Sequence, residues 1–159
     1  LLGTAAEEVE RISRNLRPGV LDMLGLAAVL RATVTEFADR TRVPVKLTCV
    51  QLTAQLPADA ERALYRIFQE ALENVEKHAR ARHVTVSLTQ PGAFVQLTIN
   101  DDGIGFDSAR RNGKGGLGLL SMRERASAVG GALTIKSGFR AGTKIEVRIP
   151  LTPNIAAAA

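Results

Sequence analysis

The sequence predicts an α+β fold, a two-layer α/β sandwich in which one mixed sheet is covered by helices on one face. Three observations predict it. Apolar residues recur at helical spacing over 20–41, 57–80 and 117–129. Strand-like alternation occupies 43–52, 83–90, 93–100, 132–137 and 143–149. Turn residues join the later strands in pairs as hairpins, so helices alternate with hairpins around one core. A chain of 159 residues, 45% hydrophobic and 23% charged, has the size and composition of a single globular domain.

Residues 4–16 are charged and helix-prone, with Val9, Ile12 and Leu16 forming one apolar stripe, and Pro18-Gly19 is expected to break that helix. A second amphipathic helix follows over 20–41, with Leu21, Leu24, Leu26, Val29, Leu30, Val34 and Phe37 on its apolar face. Pro44 favours the start or the edge of the strand at 43–52. Pro57 opens the long helix 57–80, where its missing N–H costs least, and Leu64, Ile67, Phe68, Ala71, Leu72 and Val75 face inward. Gln90-Pro91-Gly92 closes a tight hairpin. A Gly- and Arg-rich loop at 107–116 leads into the helix 117–129, which Gly130-Gly131 ends, and 137–142 turns the final hairpin.

Several function classes find no support. No apolar run approaches the ~20 residues of a membrane span, and no leader resembles a signal peptide. Cys49 stands alone and there are two histidines, too few for an internal disulfide or an ordinary zinc site, which fits a reducing cytoplasm. The net charge is +5, with mild concentration around Arg110, Arg111, Lys114, Arg123 and Arg125, and suits a phosphate-bearing ligand or an acidic partner. With no Trp, one Tyr and no reading motif, direct nucleic-acid binding is not expected. The helical start at Leu1-Leu2 and the alanines 156–159 suggest a piece of a longer protein.

Three stretches carry chemistry. The strand 93–100 delivers Asp101 into the turn Asp101-Asp102-Gly103-Ile104-Gly105-Phe106. A carboxylate fixed at a strand end can accept a hydrogen bond from an exocyclic amine such as that of adenine, and two glycines leave room for close approach; alone, the same residues also make an ordinary turn. On the central helix Glu70, Asn74 and Lys77 stand at i, i+4 and i+7, on one side. That pattern fits a solvated stripe, or a site in which the Asn74 amide oxygen holds magnesium and Lys77 meets a phosphate. Third, Gly113-Lys114-Gly115-Gly116-Leu117-Gly118-Leu119 runs into a helix, where free backbone N–H groups suit phosphates, although a flexible linker has the same composition. It lacks the Gly-Lys-Ser/Thr of a Walker loop.

In this order and at these separations the three stretches resemble the ATP-binding domain of sensor histidine kinases, within the superfamily that includes the gyrase, heat-shock chaperone and mismatch-repair ATPases. Glu70 to Asn74 is similar to the N box, Asp101-x-Gly103-x-Gly105 to the first glycine box, Phe106 to the F position, and Gly116-x-Gly118 to the second glycine box. Gly142-Thr143-Lys144-Ile145 resembles the terminal strand whose threonine lies near adenine. Gln69-Glu70-Ala71-Leu72 with Asn74-Val75 and Lys77-His78-Ala79, and Met122-Arg123-Glu124-Arg125-Ala126, look like the NarX/DesK type, as does Leu16-Arg17-Pro18 with Leu21-Asp22 and Leu24-Gly25-Leu26.

The resemblance implies the Bergerat ATP-binding fold over 19–152, preceded at 1–18 by the stub of a dimerisation helix and followed by a tail at 153–159. It implies ATP and Mg2+ as ligands, with Asn74, Lys77, His78, Asp101, Gly103, Gly105, Gly116, Leu117, Gly118, Leu119 and Thr143 around the nucleotide and Asn74 at the metal. Arg110, Arg111 or Lys114 joins Lys77 at the γ-phosphate. Glu70 is the catalytic candidate, either assisting proton transfer at the incoming histidine or orienting magnesium-bound water. The implied partners are the phosphoacceptor helices of the same protein, in a homodimeric parent, and a response regulator with a helix-turn-helix output. The fragment is expected in the cytoplasm without membrane contact of its own, whether or not its parent is anchored. The phosphoacceptor is expected on a helix before Leu1, with His78 lining the site or capping its helix and His83 structural. A phosphoacceptor-free ATPase module and a nucleotide-free interaction domain are the other functions compatible with this fold.

Overall fold

The computed structural model describes residues 18–107 and 116–151. The expected helix at 4–16, the cations Arg110, Arg111 and Lys114, and the tail 153–159 lie outside the described residues. Helix α1 (Pro18–Leu24) begins at the proline expected to break a helix, since proline is compatible with a first helical turn. The chain turns at Gly25, at φ 80°, and α2 (Leu26–Thr41) follows, so the single helix expected over 20–41 is two. The break moves Leu24 off the apolar stripe to 62% exposure, while Leu21, Leu26, Val29, Leu30, Val34 and Phe37 are buried as expected. Arg42 ends α2 in a left-handed conformation, its N–H donating to Ala38 O at 2.9 Å.

Strand β1 (Val45–Cys49) is shorter than its alternation suggested. Helix α3 (Ala58–Asn74) then supplies the inner layer, burying Leu64, Ile67, Phe68, Ala71 and Leu72. Each of the leucine, isoleucine and phenylalanine side chains among them contributes roughly 1.5–3 kcal/mol. Past Asn74 the helix widens into a π-helical turn, Val75–Ala79, and stops at the left-handed Arg80. Strands β2 (Val84–Thr89) and β3 (Phe94–Asp101) form the expected hairpin, with Gly92 at φ 64° and Phe94 N–H donating to Pro91 O. Helix α4 (Gly116–Ala128) starts one residue before the expected position, and β4 (Ala132–Ser137) and β5 (Thr143–Pro150) complete the sheet.

The strand order is β1-β2-β3-β5-β4, with β1 and β2 parallel and the other pairs antiparallel, which is the mixed sheet expected. Along β3 the side chains of Val95, Leu97, Ile99 and Asp101 point into the core, while Gln96, Thr98 and Asn100 face the opposite side. That alternation, continued to the last residue of the strand, puts an aspartate where an aliphatic residue would otherwise stand.

Candidate functional site

Asp101 is the one charged side chain among the described buried residues, 5% exposed. Its carboxylate accepts the Gly103 N–H at 2.8 Å and stands opposite Thr143 on β5. Burial raises its pKa above the ordinary carboxylate range, against the lowering effect of the Gly103 and Thr143 backbone N–H groups; the negative charge of Asp102 adds to the rise. An ionisable group held this way within an apolar wall is a candidate for a functional site.

The neighbouring Asp102 has a different task. Pointing to the other face, it accepts the backbone N–H groups of Arg82 and His83 at 2.7 and 2.8 Å and meets His83 Nδ1 at 2.9 Å. The His83 backbone N–H, then the His83 side chain, with Arg82 assisting, hold its pKa down at about 2 despite some desolvation. His83 is thereby a partner of Asp102 at the start of β2, the structural role the sequence suggested.

Glycines set the path between these groups. A Cβ at Gly103 would lie 2.1 Å from Ala79 O, and the next residue donates its N–H to that oxygen at 2.7 Å. Gly105 adopts φ 61°, and a Cβ there would lie 2.0 Å from Gly138 O. The loop after β3 is thus clamped between the end of the π-helical turn and the β4–β5 turn, from which Arg140 N–H donates to Ile104 O at 2.7 Å.

Beside this loop opens a cleft of about 280 Å³, near the lower end of the usual range for small-ligand sites. Asn74, His78, Asp101, Gly105, Leu119 and Thr143 line it, together with Ala71, Val75, Ala79, Ile99, Ile104, Phe106 and Ile145. The walls are mostly apolar, and the buried carboxylate is an acceptor at fixed position. A flat heteroaromatic ring with one exocyclic amine fits that arrangement. The apolar walls Ile99 and Ile145 are cross-strand partners, legible in the sequence as inward residues but not as neighbours.

The remaining candidates stand outside the wall. Gly103 is buried beneath the loop. Lys77 is exposed, lies 3.8 Å from Glu73 one helical turn earlier, and does not line the cleft. Gly116 has open space around it, and Leu117 is 79% exposed. Gly118 meets Glu70 instead: a Cβ there would lie 2.3 Å from Glu70 Oε1. Glu70 therefore sits between α3 and the first turn of α4, beside the cleft. Sequence reasoning missed Ser137, whose hydroxyl stands behind Thr143 at 2.8 Å. Its only signal was its place as the last residue of β4, opposite Thr143.

Comparison with known proteins gives this architecture a family. Residues 59–153 match the family described as histidine kinase-, DNA gyrase B-, and HSP90-like ATPase. The chain belongs to that family, and its fold and sequence are those of a histidine-kinase ATP-binding domain. It is 41% identical over 155 residues to the sensor histidine kinase MctS of Rhizobium johnstonii, covering 96% of this chain and 33% of that protein. It is 36% identical over 152 residues to the signal transduction histidine-protein kinase/phosphatase DegS of Brevibacillus brevis, covering 96% of this chain and 39% of that protein. The chain thus spans well under half the length of these relatives. Among solved structures, the blue-light activated histidine kinase of Erythrobacter litoralis EL346 superposes with a TM-score of 0.72 at 20% identity, over 94% of this chain and 51% of that one. The mycobacterial sensor histidine kinase MprB gives 0.60 at 22% identity, over 78% and 93%. Among the described residues no helix is long and apolar enough to cross a membrane.

Proposed function

We propose that this chain is the catalytic unit of a cytoplasmic two-component sensor kinase, binding Mg-ATP and presenting the γ-phosphate to a histidine on dimerisation helices of the same protein. The observation that carries the reading is the buried Asp101 carboxylate at the base of an apolar cleft, in a chain 41% identical to a sensor histidine kinase. Asp101 would accept a hydrogen bond from the adenine amine, and a site built on such a polar pairing discriminates strongly against bases that lack it. Thr143 and Gly105 complete the base pocket, and Leu119 closes it from α4. The base would occupy this cleft. The phosphates would therefore extend toward the first turn of α4, where Gly116, Leu117 and Gly118 expose backbone N–H groups.

Bound magnesium would neutralise charge developing on the transferred phosphoryl group. The Asn74 amide oxygen is the protein ligand proposed for it, with water and phosphate oxygens completing a shell of hard donors. Lys77 and His78 follow Asn74 on the same turn and would lie along the phosphate path, with Arg110, Arg111 and Lys114 as further cations. Glu70, poised at the start of α4, is proposed to receive the proton of the incoming imidazole. Neither histidine of the chain suits the acceptor role, since His78 lines the cleft itself and His83 is held by Asp102. The domain proposed spans 19–152, with 1–18 leading from the dimerisation helix and 153–159 as a tail. The parent is proposed as a homodimer that passes its phosphate to a response regulator of the helix-turn-helix type.

Radiolabelled ATP tests the proposal. The chain should bind ATP, carry no phosphohistidine when alone, and transfer label to a polypeptide bearing its parent's dimerisation helices. Glu70→Gln should reduce that transfer by about tenfold or more with ATP affinity retained. Rapid steady-state hydrolysis without any transfer would overturn the reading in favour of an ATPase module, and a stable phosphohistidine on the chain alone would overturn the domain assignment.

A further inference from the structure

Behind the cleft wall, the Ser137 hydroxyl is surrounded by three partners, one on the loop after β3 and two at the start of β5. It accepts the Phe106 backbone N–H at 2.9 Å, lies 3.1 Å from Gly142 O, and lies 2.8 Å from Thr143 Oγ1. Phe106 and Thr143 both line the cleft, whereas Ser137 does not. We propose that Ser137 is a positioning residue for nucleotide binding, which joins the Thr143 hydroxyl to the Phe106 backbone and sets the direction in which Thr143 presents its proton. The inference rests on the nucleotide reading above and deepens it.

A serine hydroxyl has one donor and two acceptor positions, and a threonine hydroxyl the same. Phe106 N–H occupies one acceptor position of Ser137. In one arrangement Thr143 donates to Ser137, and Ser137 donates to Gly142 O; every donor is then used, and Thr143 shows the cleft only lone pairs. In the other, Ser137 donates to Thr143 Oγ1, which frees the Thr143 proton to meet an acceptor in the cleft. The two arrangements exchange by rotating two hydroxyls, with no movement of heavy atoms. Thr143 can thus answer either a ligand donor, such as an exocyclic amine, or a ligand acceptor, such as a ring nitrogen.

The same hydroxyl fixes geometry. The Gly103–Phe106 loop is held at Ile104 by Ala79 O and by Arg140 N–H, and at Phe106 by Ser137. Losing the Ser137 oxygen would leave the Phe106 N–H, half-buried at the cleft, without that acceptor and would leave Thr143 free to rotate.

Calorimetric titration of this chain with a non-hydrolysable ATP analogue and magnesium tests the proposal. Ser137→Ala should weaken binding about five- to tenfold. Ser137→Thr, which keeps the hydroxyl and suits a strand, should stay within about twofold of the wild type. In a double-mutant cycle, adding Ser137→Ala to Thr143→Val should cost less than it does alone, because the two hydroxyls act together. Ser137→Cys keeps the shape of the side chain with weaker hydrogen bonding, and several-fold loss in a folded S137C carries the same meaning if S137A does not fold. Wild-type affinity in S137A or S137C, or simple additivity with T143V, overturns the role of Ser137 alone. Absence of binding by the wild type overturns the nucleotide reading and this inference with it.

Discussion

Replacing Asp101 by asparagine should separate binding from stability in opposite directions. The substitution is isosteric and leaves an oxygen to accept the Gly103 N–H, now made to the carboxylate at 2.8 Å. What it removes is the charge, and it offers an NH2 donor where the ligand brings its own donor. A hydrogen bond to a charged group contributes about 1.5–3 kcal/mol. At about 1.4 kcal/mol per decade, the affinity for an ATP analogue should fall by between about tenfold and about a hundredfold. Stability should not follow. The pKa of Asp101 is raised in the folded protein, chiefly by burial, so ionisation at neutral pH favours the unfolded state, and a neutral side chain relieves that cost. Calorimetric titration and thermal melting at pH 7 read the two effects separately. Affinity within about threefold of the wild type would refute the adenine assignment. A melting temperature lowered by several degrees would refute the claim that the carboxylate is held at a cost.

Related variants and pH extend this reasoning. The affinity for ATP should decline on mild acidification, beginning above the range of an ordinary carboxylate, because protonation removes the charge that strengthens the hydrogen bond and places an O–H donor at the site; a flat titration curve down to pH 4.5, roughly the ordinary carboxylate region, would exclude this. Asp102 works in the other sense: its folded pKa of about 2 lies below the unfolded 3.8, so its stabilisation is complete above 3.8 and is lost as pH falls toward 2. Asp102→Ala should cost only about 1 kcal/mol at neutral pH, because solvent screens this partly exposed carboxylate, and should remove that acid-dependent portion in denaturant titrations. Gly105→Ala forces a side chain into a left-handed backbone and against Gly138 O, and should destabilise by about 3 kcal/mol or more in thermal melts. Gly118→Ala meets only the flexible end of Glu70, so it should change stability by less than about 1 kcal/mol while displacing that carboxylate.

Much of the fold was legible because burial periodicity is a local property. The strands on both sides of Gln90-Pro91-Gly92, the inward face of α3 and the last hairpin followed from alternation and turn chemistry alone. The misreadings have local physical causes. Pro18 opens a short helix of its own, because a first-turn position needs no N–H. Gly25 breaks a continuous apolar pattern, because a positive φ leaves no mark in hydrophobicity. The π-helical turn at Val75–Ala79 is equally silent, because an apolar period does not register a local widening of the helix.

The amino-acid order by itself determined the family, the alternation that buries Asp101, and the glycines that the turn after β3 requires, because each depends on residues near in sequence. Which of two adjacent aspartates faces the cleft was also decided there, by a period of two. Only the tertiary structure decided that Gly118 is the seat of Glu70, that Ile99 meets Ile145, and that Ser137 ties Thr143 to Phe106. Those contacts join segments that strand pairing and helix packing bring together, and a one-dimensional pattern does not encode which distant backbone will come within hydrogen-bonding reach.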